Sequence, residues 1–149
     1  MAARTRRRFH KLYVSDERGK AEAIVDVRTD TIVPDRHRAF LACEGNDLMT
    51  VFNLDTHAPI AFLPLAQGPD VIKVDAGLGR VYVACSSGAI SVFQIDDADH
   101  VRKLEDVRVQ RRVHSLAVDP STHRVYTPEQ QEDGQPVARM VVYEAAPPR

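Results

Sequence analysis

Apolar residues in this chain fall in runs of four to seven, separated by clusters of Gly, Pro, Asn, Asp and Ser. The runs are rich in β-branched and aromatic side chains, and many alternate with polar positions, the pattern of half-buried strands. Sustained i, i+3, i+4 apolar spacing is hard to find, so the pattern predicts an all-β chain. Expected strands are KLYVSD from Lys11, AIVDVRTDTIV, RAFLAC, LMTVFNLD, APIAFLPL, VIKVD, RVYVAC, AISVFQID, a charged run over 101–109, VHSLAVD, RVYT and ARMVVYE. Residues 128–136 read as a long polar loop.

The runs repeat. RAFLAC from Arg38 aligns with RVYVAC from Arg80 and RVYTP from Arg124, at offsets of 42 and 44 residues. TVFNLD aligns with SVFQID, and Val74-Asp75 with Val118-Asp119. A period in the low forties carrying about four short strands suits a β-propeller blade, an antiparallel meander that buries its two faces only by stacking on neighbours. Asp75 and Asp119 precede four-residue turns and suit them through side-chain to backbone bonds. Phe40, Tyr82 and Tyr126 share one slot and are expected between blades, as are Phe52 and Phe93 on the next strand.

These residues resemble the YVTN-type β-propeller repeat of YncE-like and surface-layer-type proteins. The motif is V-D-x-x-x-x-R-V-Y-V-A over residues 74–84, with a variant over 118–127, preceded by Gly68-Pro69. The likeness spans residues 11–143 and implies four-stranded blades. Tyr13 and Phe40 are only 27 residues apart, so the first repeat is short near residues 30–34. About three to three and a half blades result, fewer than the four to eight of a closed ring. The expected organisation is a basic, disordered arm over 1–10, a partial propeller over 11–144, and a frayed tail over 145–149. Open blade faces are large and apolar, and such patches mark association. Self-association closing a ring of six to eight blades, or a chain that is part of a longer one, is therefore expected.

Composition changes this picture little. With 149 residues, 44% hydrophobic and 28% charged, the chain can form one ordinary domain. A net charge of −1 gives no electrostatic case for nucleic acid or an anionic membrane. Arg4, Arg6, Arg7, Arg8 and Lys11 concentrate cations at the start, where a polyanion-binding arm is the minor alternative. No run reaches the roughly 20 apolar residues of a membrane span, and Phe9-His10-Lys11-Leu12 stands where an export signal would turn apolar. The expectation is a cytoplasmic protein, or a periplasmic or extracellular one if the chain is a fragment. Cys43 and Cys85 occupy equivalent slots about one repeat apart, too far for a disulfide, and are read as free thiols.

No catalytic motif is present: no GxSxG, HExxH, P-loop, GxGxxG or Asp-rich calcium loop. Candidate chemistry comes from position, because turns entering the innermost strand and leaving the second strand open on one face around the channel mouth. Asp70 and His114 stand five residues before Asp75 and Asp119, and Glu44, Asn46, Asp47, Ser86, Ser87 and Glu129 belong to the second-strand turns. Such oxygens and one imidazole suit a small polar ligand, a protein partner or a divalent cation. Polar turn residues equally serve turn geometry. The other histidines, His123 among them, are expected to be solvated. The reading is a non-enzymatic binding or scaffold module without a cofactor. The alternative is a metal-assisted, lactonase-like hydrolase at Asp70/His114, as the resemblance to related propellers implies.

Overall fold

The computed structural model describes residues 12–15, 22–25, 32–33, 38–132 and 134–146, the first three segments by backbone alone. The chain forms two units, Met1–Asp30 and Thr31–Arg149. In the first, β1 (Leu12–Ser15) and β2 (Glu22–Val25) pair antiparallel. The expected basic arm over 1–10 lies outside the described residues.

The second unit holds three antiparallel meanders. Blade 1 is β3 (Ile32–Val33), β4 (Arg38–Cys43), β5 (Leu48–Asn53) and β6 (Ala58–Pro64). Blade 2 is β7 (Pro69–Asp75), β8 (Arg80–Cys85), β9 (Ala89–Ile95) and β10 (Val101–Arg108). Blade 3 is β11 (Ala117–Asp119), β12 (Arg124–Glu132) and β13 (Gln135–Glu144). All described residues are strand, turn or irregular, with no helix among them, so the all-β, propeller-blade architecture stands as expected. Between Tyr13 on β1 and Phe40 on β4 the described residues hold only β2 and the two-residue β3.

Two expectations need correction. The polar loop at 128–136 is mostly strand, because β12 runs to Glu132 and β13 begins at Gln135. Arg139 on β13 bonds both Glu129 and Glu132 on β12, so the charged residues are ladder partners rather than loop solvation. The run VHSLAVD yields a strand only at Ala117–Asp119, leaving His114 in the connection before it.

The core follows the period-2 pleat. Every residue of β8 is buried, and its side chains divide between two neighbours. Val81, Val83 and Cys85 join Phe93 and Ile95 of β9 against Phe40, Met49 and Val51 of blade 1. Tyr82 and Ala84 join Ile90 and Val92 against Val113 and Leu116 of the connection before β11 and Val125 of blade 3. Phe40 and Tyr82 are each 4% exposed, and Phe52 and Phe93 are also buried, as the shared slots require. Tyr126, in the same slot on blade 3, is only half-buried, because no described blade covers its face. Neither Cys43 nor Cys85 is in a disulfide, and burial pushes the Cys85 thiol up.

Turn chemistry is as the sequence requires. The Asp119 carboxylate accepts from Ser121 Oγ, Thr122 Oγ1 and the Ser121 amide, which hold it down at about 2. Asp75 Oδ1 accepts from the Gly77 and Leu78 amides at 3.0 and 3.2 Å.

Phe93→Ala, which empties the shared core of blades 1 and 2, is expected to destabilise the protein by about 3–5 kcal/mol in urea unfolding. Met140→Ala, on an exposed face, is expected to stay within about 0.5 kcal/mol. Because the folded state lowers the Asp119 pKa, its stabilisation is present above the ordinary carboxylate value of 3.8 and is lost as pH falls toward 2. Thermal unfolding of Asp119→Asn should therefore show a weaker loss of Tm over that interval than the parent protein.

Candidate functional site

The connections between blades decide what the mouth face can offer. Residues 65–68 cross from blade 1 to blade 2, and the β4–β5 turn holds them: the Leu65 amide donates to Asp47 O at 2.8 Å, and the Gly68 amide to Asp47 Oδ1 at 2.9 Å. The Ser86 amide donates to Gly68 O at 2.7 Å. Gly68 has φ 69°, and a Cβ there would lie 2.1 Å from Ser86 Oγ, so only glycine fits this crossing. One blade on, the Arg112 amide donates to Ser86 O at 3.0 Å. Asp47 and Ser86 are thus occupied in seating the next blade.

This seating brings Asp70 and His114 together. They approach from consecutive blades, with His114 Nδ1 3.1 Å from Asp70 Oδ2, and their side chains are 47% and 55% exposed. Among the described residues neither makes a further side-chain hydrogen bond or ion pair, so the pair faces water with capacity to spare. The other candidates are dispersed. Glu44 is exposed in the β4–β5 turn, Asn46 Oδ1 accepts from the Leu48 amide at 3.2 Å, and Glu129 is bonded by Arg139 on blade 3. Among the described residues no three His, Cys, Asp or Glu side chains converge as a metal would need.

His123 is a correction. It is not simply solvated: its Nδ1 donates to Asp75 Oδ2 at 2.8 Å, and the Asp75 side chain is fully buried. A buried carboxylate must be compensated, and the three donors at Gly77, Leu78 and His123 do this while linking blade 2 to blade 3. The approach requires glycine at 77, where a Cβ would meet the imidazole at 2.7 Å.

A second feature was not anticipated. A cavity of about 480 Å³ opens between blades 2 and 3, away from the mouth pair. Blade 2 contributes Arg80, Tyr82, Val92, Arg102, Leu104 and Val107, and blade 3 closes the other side with Val125, Tyr143 and the Glu144–Ala146 end. Arg80 Nη2 donates to Ala146 O at 2.7 Å, but among the described residues the buried Arg80 Nε and Tyr82 Oη have no hydrogen-bond partner. Burial pushes the Tyr82 hydroxyl up, with the Arg80 guanidinium opposing. The equivalent Arg38 is treated differently. Its Nε donates to Ala98 O at 2.6 Å and its Nη2 to Asp99 Oδ1 at 2.7 Å, both in the β9–β10 turn of the next blade. The recurring Arg before each V-Y or A-F pair was the sequence signal, visible only as a repeat marker until its burial was known.

Asp75→Ala is expected to destabilise by about 2–3 kcal/mol in urea unfolding, because three donors lose their acceptor. Asp70→Asn and His114→Gln should leave the unfolding midpoint unchanged, which would separate a binding pair from a structural latch.

No protein-family model matches the chain, and no curated protein matches it. Several solved structures do. Hydrazine synthase of Kuenenia stuttgartiensis superposes with TM-score 0.58 and 17% identity, over 68% of this chain and 30% of that one. The dihydro-heme d1 dehydrogenase NirN, in complex with DHE, gives 0.60 and 18%, over 73% and 22%. A protein from Lactobacillus plantarum gives 0.56 and 14%, over 92% and 49%. This chain spans half or less of each of these chains. The likeness is one of fold, and what the chain shares with the β-propellers among them is the stacked antiparallel blade.

Proposed function

We propose that this chain is a propeller-type binding or scaffold module of the YVTN, YncE-like kind, taking a ligand or protein partner at its mouth face. The observation that carries the reading is the Asp70–His114 pair, brought together from two blades and left exposed while its neighbours Asp47 and Ser86 are engaged in blade seating. A carboxylate beside an imidazole offers both acceptor and donor, which suits hydroxyl- and amide-bearing groups such as a sugar or a peptide backbone. A metal-assisted, lactonase-like hydrolase would use the same two residues, but it needs a third ligand that the described residues do not bring to them. The YVTN assignment is supported by the V-D-x-x-x-x-R-V-Y-V-A run, which forms the β7–β8 hairpin.

Association is supported at the far face of blade 3. Tyr126 and Pro128 on β12 pair with Val142 and Met140 on β13, and Met140 and Val142 are 59% and 47% exposed. An apolar face of this kind suits a further blade, supplied by a second copy.

Two measurements test these readings. A panel of small sugars and short peptides, screened by NMR with the imidazole signals of His114 as reporter, should give shifts that Asp70→Ala, His114→Ala abolishes. Stoichiometric metal in the purified protein, lost in that double variant together with lactone hydrolysis, would establish the hydrolase instead. In light scattering, Met140→Asp with Val142→Asp should shift any dimer to monomer, and a parent protein that stays monomeric at high concentration would refute self-association through this face.

A further inference from the structure

Most arginines among the described residues are engaged. Arg38 reaches Asp99, Arg80 reaches Ala146 O, Arg102 reaches Asp96, Arg124 reaches Glu144, and Arg139 reaches Glu129 and Glu132. Arg108, Arg111 and Arg112 differ: all three are exposed, and among the described residues none makes a side-chain hydrogen bond or ion pair. They gather around one turn, at residues 86–88. Arg108 lies opposite Ala89 at the end of β10, and the Val109 amide donates to Gly88 O at 3.0 Å. A Cβ at Gly88 would lie 3.2 Å from both Cα and Cγ of Arg111, so the Arg111 stem runs along this turn. The Arg112 amide donates to Ser86 O, and Val113 and Leu116, each 3% exposed, pin the same connection into the core. The cations thus sit on an anchored backbone. They also adjoin the mouth pair, since Ser86 bonds Gly68 two residues before Asp70, and Arg112 stands two residues before His114.

We infer that the mouth face docks an acidic segment of a partner polypeptide, with Arg108, Arg111 and Arg112 taking its carboxylates and Asp70 with His114 taking its backbone. The inference names the partner class for the mouth-face reading proposed above and rests on it. Charge complementarity sets the occupant, because a guanidinium matches a carboxylate in both sign and shape. The Asp70 carboxylate only accepts, so the occupant must also bring donors. A peptide backbone brings an N–H at nearly every residue, and an extended segment sends alternate side chains to one side. Nucleic acid brings acceptors in its phosphates, and residues 108–114 hold no aromatic side chain on which a base could stack. A second copy is a poor match. Its acidic groups are occupied by its own cations: Asp96 by Arg102, Asp99 by Arg38, Asp106 by Lys103 and Glu144 by Arg124. Exposed pairs of this kind are screened by salt, so the docking is salt-dependent.

The test is fluorescence anisotropy of a fluorescein-labelled oligoglutamate peptide titrated with the full chain at low salt. Saturable binding that weakens as salt rises is expected, with a neutral Gly-Ser peptide showing none. Arg108→Gln, Arg111→Gln and Arg112→Gln combined should lower the affinity by about tenfold or more, the worth of at least one charge-assisted bond. These side chains are exposed, so the variant keeps its fold, which an unchanged Tm verifies. A variant of equal charge, Arg102→Gln with Arg124→Gln and Arg139→Gln, should keep the parent affinity. The inference is overturned if oligoglutamate binds no better than the neutral peptide, or if both triple variants lose binding equally. It is also overturned if labelled oligo-dT binds as tightly as oligoglutamate, or if the parent is a dimer that the first triple variant dissociates. The mouth pair is judged separately. If oligoglutamate fails while neutral sugars and peptides still shift the His114 signals, only the acidic partner is refuted. If the arginine variant loses binding but Asp70→Asn with His114→Gln does not, the acidic partner stands and the role of the pair is refuted.

Discussion

A single antiparallel blade presents two apolar faces and can bury neither alone. The rest of this structure depends on the packing of one blade's pleat against the next. Strand β8 shows the constraint in its purest form: six consecutive buried residues send Val81, Val83 and Cys85 to one neighbour and Tyr82 and Ala84 to the other. The hydrophobic gain scales with the area removed from water, so a blade flanked on both sides is the most strongly held. Blade 2 is that blade. Blade 3, which the described residues cover on one side, leaves Tyr126 and its cross-strand neighbour Val142 half out of the core.

Apolar packing between sheets is tolerant of sliding, and polar contacts at the blade junctions remove that freedom. The Asp75–His123 bond, the Asp47 clasp on Gly68 and the Arg38 bonds to Ala98 and Asp99 each join one blade to the next. Each is directional and partly shielded from water, so a shifted register would strand a carboxylate or a guanidinium in the interior. Glycine at 68 and 77 is part of the same device, since both positions let a partner come closer than any Cβ allows. At the mouth face, blade seating uses Asp47 and Ser86 and leaves Asp70 and His114 as the pair with free capacity.

The junctions also expose an asymmetry. The one between blades 1 and 2 is closed by a fourth strand and its turn, and Arg38 is satisfied there. Among the described residues the one between blades 2 and 3 shows no such strand, and the same arginine position, Arg80, has no partner for its Nε beside a cavity of about 480 Å³. One sequence motif thus occupies two environments, and the difference lies in what the neighbouring blade supplies.

The strands, the repeat and the slots of Phe40, Tyr82, Phe93, Asp75 and Asp119 were legible in the sequence. Period-2 alternation and turn chemistry are local properties, and a repeat multiplies each local signal. The meeting of Asp70 with His114 was legible for the same reason, because equivalent positions of adjacent blades must be neighbours. What the sequence could not reveal were relations between residues with no local signature. His123 reads as a turn histidine until Asp75, 48 residues away, is seen buried beneath it. The polar stretch 128–136 reads as loop until Arg139 is found across the ladder from Glu129 and Glu132. Arg80 reads as a repeat marker until its burial shows which of its bonds are missing. The sequence alone determined the blades, since each is built from its own pleat and turns. Only the tertiary structure decided which polar groups are satisfied between them, because burial and pairing depend on where distant strands come to rest.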